Sequence, residues 1–157
     1  MNRSVHSSHA ETIFCLINLT VSLLAGAYIY LCITPDSYIG TWIRWVFPSL
    51  SGVVFAPVPN FWRWWGGDFL WAYAFFFAMV PASRSHPNPR RRAFAITVFC
   101  ATAVECLQLI QVDFLKCGTF DFLDILAQLL AVCTGALLLH CFLQITKEGK
   151  KDERKQA

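Results

Sequence analysis

Residues 104–135 read VECLQLIQVDFLKCGTFDFLDILAQLLAVCTG: two apolar, helix-length segments joined by a short polar link. Each segment carries side chains that hydrocarbon rejects. On the first, Glu105 and Gln108 stand at i and i+3 and share a helical face; on the second, Asp121, Asp124 and Gln128 are spaced by three and four and share another. A charge at the centre of a bilayer costs at least about 3 kcal/mol, so such residues belong to a protein interior or to a functional pocket. Asp121 and Asp124 also suit the first turn of a helix, as an N-cap and as an acid favoured by the helix dipole. Glu105 has no such role open to it, because it lies mid-segment.

Composition decides what surrounds this stretch. The 157 residues are 56% hydrophobic, 15% aromatic and only 15% charged, which is too apolar for an ordinary soluble domain and leaves lipid as the explanation. Residues 13–33, 64–82, 93–112 and 122–143 approach or reach the span of a bilayer core. The second of these reaches it only if it starts near Trp64, which draws Asp68 into the membrane edge. All six tryptophans lie between Trp42 and Trp71, as expected at a membrane–water boundary. Within that region residues 42–47 read as a short interfacial helix, and Pro48, Pro57 and Pro59 interrupt anything longer.

Ten of the 13 Lys and Arg residues fall in the N-terminal arm, the link at 83–92 and the tail; Arg44, Arg63 and Lys116 fall on the other side. The positive-inside bias then predicts an all-α, polytopic membrane protein, a four-transmembrane-helix bundle with both termini cytoplasmic. Residues 1–145 form one domain, and 146–157 a charged, frayed tail. This topology gathers Asp68, Glu105, Asp121 and Asp124 in the outer leaflet, with Glu105 and Asp124 facing each other across antiparallel neighbours. Ala127, Ala131 and Gly135 recur every four residues beside Asp124 and Gln128, a stripe that lets another backbone approach. Leu129, Leu130, Val132 and Leu137 are then left to lipid.

Of seven cysteines, five lie in apolar runs as packing residues; Cys32 and Cys117 could meet in a disulfide on an oxidising face. Arg90, Arg91 and Arg92 read as a topological anchor, with contact to anionic lipid second. The sequence carries no Ser/His/Asp arrangement, no zinc spacing, no phosphate loop and no nucleic-acid module, so no catalytic motif marks an enzyme. A hard cation such as Ca²⁺ or Mg²⁺ is chemically compatible with the acids.

The stretch also resembles the VanZ-like family of small bacterial membrane proteins. Glu105-x-x-Gln108 ends one span, a short link leads to Asp121 and Asp124, and Gln128, Ala131 and Gly135 follow; Asp68 fits an acid opening an earlier span. The resemblance covers about 70 residues. It implies a bacterial inner-membrane protein of the cell envelope, linked to resistance against glycopeptides of the teicoplanin type. Three functions fit the residues. The first is a pocket of Asp68, Glu105, Gln108, Asp121, Asp124 and Gln128 that binds a lipid headgroup, a lipid-linked envelope precursor, a cation or a cationic ligand. The second is a proton-coupled transporter using Glu105, and the third a non-catalytic partner subunit.

Overall fold

In the computed structural model, residues 3–32, 38–50, 59–109 and 121–156 are described, and all their regular structure is helical. The helices are α1 (Arg3–Cys32), α2 (Tyr38–Val46), α3 (Asn60–Ala82), α4 (Pro89–Leu109) and α5 (Phe122–Gln156), with a 3₁₀ turn at Pro48–Leu50. The helix expected at 42–47 is therefore α2, four residues longer at its start.

Two helices are long and apolar enough to cross a membrane, by length and composition: His9–Leu31 within α1 and Phe122–Gly149 within α5. Helices α3 and α4 have the length, at 23 and 21 residues, but not the uniform apolarity. Gly66, Gly67 and Asp68 dilute the first, and Arg90, Arg91, Arg92, Glu105 and Gln108 dilute the second. Of the four spans expected, two thus stand on composition alone.

Local chemistry sets most of the helix ends. Pro89 occupies the first position of α4, where its missing N–H would have had no helical partner. The Asp121 carboxylate accepts from the Leu123 N–H at 2.9 Å and so caps the start of α5. Arg44 on α2 donates through Nη2 to the Leu31 carbonyl at 3.3 Å, covering one of the unpaired carbonyls at the end of α1. The tail departs from expectation: α5 continues through it to Gln156 instead of fraying. Residues 146–156 are mostly good helix formers, opposite charges recur at i, i+3, and the basic residues complement the helix C-terminus.

Helix α3 is the hub, packing against α1, α4 and α5, while α4 and α5 pack on each other. Successive long helices run in opposite directions. Arg90 at the start of α4 pairs with Glu11 of α1 at 2.9 Å, and Arg84 in the link donates to Thr12. Phe14 of α1 stacks on Phe142 of α5 with ring centroids 4.2 Å apart. The start of α1, the 83–88 link and the later part of α5 therefore share one end of the bundle.

The core is an aromatic and aliphatic cluster of Phe76, Phe77, Val80, Val132, Leu139 and Leu143 around Cys15 and Ala72. One polar pair is set within it: the Tyr73 hydroxyl donates to Asn18 Oδ1 at 2.7 Å, tying α3 to α1. The outside is the inverse of a soluble protein's. Leu16, Ile17, Leu23, Leu24, Phe99, Leu130, Leu137 and Ile145 all stand exposed. Ala127, Ala131 and Gly135 face inward as the small-residue stripe requires, and Leu130 and Leu137 face outward. Val132 does not follow its neighbours; it is fully buried, because it lies one position from Ala131 and packs into the same core.

Candidate functional site

At the opposite end of the bundle, three helices bring polar side chains together inside an apolar shell. Asp68 sits eight residues into α3, about 12 Å along the helix. With α3 beginning at Asn60, Asp68 is well past the first turn and does not cap the helix. Glu105 lies one turn from the described end of α4, and Gln128 two turns into α5. Because α4 runs against both α3 and α5, the end of one meets the beginnings of the other two.

Gln128 holds the cluster together. Its Nε2 donates to Glu105 Oε1 at 3.0 Å and to Asp68 Oδ1 at 3.4 Å, so one amide group bridges carboxylates from two other helices. Glu105 is 1% exposed and Gln128 2%. Two buried acceptors remain without a hydrogen-bond partner, Glu105 Oε2 and Gln128 Oε1. Such atoms are rare in folded proteins, and each costs about 1–3 kcal/mol when left unmet. The ion pair of Arg90 with Glu11 lies at the other end of the bundle, and among the described residues Asp68, Glu105 and Asp124 form none.

The remaining candidates surround this core at different distances. Asp124 is half-buried and lies within Coulombic reach of Asp68, Glu105 and Asp121, without a hydrogen bond to Glu105. Glu105 and Asp124 thus share one neighbourhood, while the hydrogen bond of Glu105 goes to Gln128, one turn deeper on the same face of α5. Asp121 is exposed and occupied in capping α5. Gln108 is half-buried, and the hydrogen bond of Glu105 goes to Gln128 on the neighbouring helix rather than to it.

One residue of the site carries no motif and escapes a reading of the sequence. Tyr30 of α1 brings its hydroxyl to 3.1 Å from where a Gly67 Cβ would stand, and it lies within Coulombic reach of Asp68. A side chain at Gly67 would push that hydroxyl aside, so the Gly66-Gly67 pair was the available signal. At the end of α1 Arg44, counted in sequence only as an outside charge, has its Nε buried without a partner.

The arrangement can accept hydrogen bonds and positive charge. It offers one buried carboxylate, two half-buried ones and an amide oxygen, and its one donor group is already shared. Among the described residues, no three His, Cys, Asp or Glu side chains are grouped so as to hold a metal ion, so the hard cation considered above gains no support from them. The Cys32–Cys117 pairing lies outside the described residues. Compared with protein-family models, curated proteins and solved structures, the chain matches none.

Proposed function

We propose that this chain is a four-span integral protein of a bacterial plasma membrane. Both termini lie in the cytoplasm, and the cluster of Asp68, Glu105, Asp124 and Gln128 opens to the outer leaflet, where it binds a ligand bearing a protonated amine. One observation carries the ligand class: the buried atoms left over within the cluster, Glu105 Oε2 and Gln128 Oε1, are both acceptors among anionic groups. A ligand that satisfies them must donate hydrogen bonds, and one that offsets the acids must be positive. An ammonium group does both. The resemblance to VanZ-like proteins supports a ligand of the cell envelope, an amine-bearing lipid headgroup, a lipid-linked precursor or an amine-bearing glycopeptide, and through it a part in teicoplanin-type resistance. The apolar core at the other end, with Phe76, Phe77, Val80, Leu139 and Leu143, weighs against a proton path across the membrane.

Binding is tested with purified full-length chain, titrated with short-chain phosphatidylethanolamine and with its trimethylated counterpart, phosphatidylcholine. The primary ammonium is expected to bind about tenfold tighter, the worth of one charge-assisted hydrogen bond, and Glu105→Gln should erase the difference. Equal binding of the two headgroups by the native chain would overturn the ligand class.

Topology has its own test. In intact cells an impermeant thiol reagent should label Ser49→Cys, in the exposed 3₁₀ turn, above the background of the native cysteines. Ser85→Cys, in the link between α3 and α4, should be labelled only after lysis. The reverse pattern would invert the bundle.

A further inference from the structure

A groove of about 300 Å³ opens at the end of the bundle away from the acids, between α3, α4 and α5. Its floor is Phe76, Phe94, Ala136 and Leu139, and its rim is Arg90, Arg91 and His140. The apolar floor comes from all three helices and the basic rim from α4 and α5, and the site described above uses neither.

We propose that this groove holds an anionic phospholipid of the inner leaflet, phosphate against the arginines and one acyl chain over the aromatic floor. Charge complementarity selects the headgroup. Arg90 commits its Nε to Glu11 at 2.9 Å, which fixes the guanidinium at the rim. Arg91 is exposed and forms no ion pair among the described residues. Both belong to the first turn of α4, where the helix dipole adds to the attraction for an anion. The floor selects a lipid over a free anion: Phe94 and Ala136 are half-buried and open to the groove, Phe76 and Leu139 are buried beneath it, and a soluble phosphate would leave that surface unused. Basic pockets between helices on the cytoplasmic side of a membrane are the usual seats of such headgroups. The position also fits the depth of a leaflet, since the rim belongs to the basic link end and the floor lies below it along α3 and α5.

The inference rests on the membrane reading above, yet its test is independent of orientation, because binding in detergent does not depend on which face the link occupies. Purified full-length chain is titrated with phosphatidylglycerol, with phosphatidylcholine of the same acyl chains and with glycerol 3-phosphate, and retained lipid is read by native mass spectrometry. One phosphatidylglycerol per chain is expected, favoured about tenfold over phosphatidylcholine, with no retention of glycerol 3-phosphate. Arg91→Gln should weaken it about fivefold, whereas Arg92→Gln, an equal loss of charge just outside the groove, should leave it within about twofold. Ala136→Leu fills the floor without altering charge and should abolish retention; its thermal melt reports whether it folds, and the contrast of Arg91 with Arg92 decides the matter if it does not. Equal effects of the two arginine variants would reduce the groove to diffuse surface charge. Retention of glycerol 3-phosphate as strong as that of the lipid would make it an anion site and end the lipid proposal. Should Ser85→Cys prove external while phosphatidylglycerol still binds, the orientation fails and the groove stands.

Discussion

Gln128→Leu is expected to lower the unfolding free energy by about 3 kcal/mol, the largest loss from any single polar substitution in the chain. The side chains are similar in size, so packing changes little. What is lost is the one donor group shared by Glu105 at 3.0 Å and Asp68 at 3.4 Å, which leaves two carboxylates facing each other with no N–H between them. Bonds to charged groups are worth about 1.5–3 kcal/mol each, and a stranded buried acceptor costs the full desolvation on top. Adding Glu105→Leu should recover part of the loss, because an apolar pair leaves no acceptor stranded at that contact. Reversible unfolding in mixed micelles measures both. A Gln128→Leu variant within about 0.5 kcal/mol of the native chain would mean that the amide bridges nothing of consequence.

The second large effect belongs to Gly135. A Cβ there would stand 2.9 Å from Phe76 Cδ1 and 3.3 Å from Phe77 Cε2. Both rings are buried in the core, with no free end that could swing away. Gly135→Ala should therefore cost about 2 kcal/mol by overpacking, even though alanine favours a helix by about 1 kcal/mol. Gly26→Ala is the matched control, since a Cβ at Gly26 meets nothing within 4 Å and the propensity gain should appear alone. Equal stability of the two variants would show that α3 and α5 have room to move apart at that crossing.

Much of the site could be read from spacing, and what could not has a physical reason. Periodicity places Asp124 and Gln128 on one face of α5 and Glu105 on a polar face of α4, and those faces do meet. Periodicity does not give the depth at which neighbours align, and one turn of offset gives the hydrogen bond of Glu105 to Gln128 while Asp124 stays within Coulombic reach. The start of α3 was similarly hidden: Trp62, Trp64 and Trp65 look like boundary residues, yet the helix begins earlier at Asn60, which carries Asp68 two turns into the helix. Tyr30 reaches the site only through the gap left by Gly67, and no pattern in α1 announces it. The tail's charges suggested fraying, but α5 is already propagating when it reaches them, and extending a helix is far easier than starting one.

The amide that quiets Glu105 lies 23 residues further along the chain. At ribosomal speeds of about 5–20 residues per second, α4 emerges about 1–5 s before its partner. During that interval Asp68 already has Tyr30 of α1 at hand, but Glu105 has no Gln128. A newborn α4, with an acid near one end and three arginines at the other, is a poor candidate for release into lipid by itself. In the four-span reading proposed above, α4 would therefore enter the membrane together with α5. On that reading, a chain stopped short of Gln128 leaves the acid of α4 without the amide that partners it.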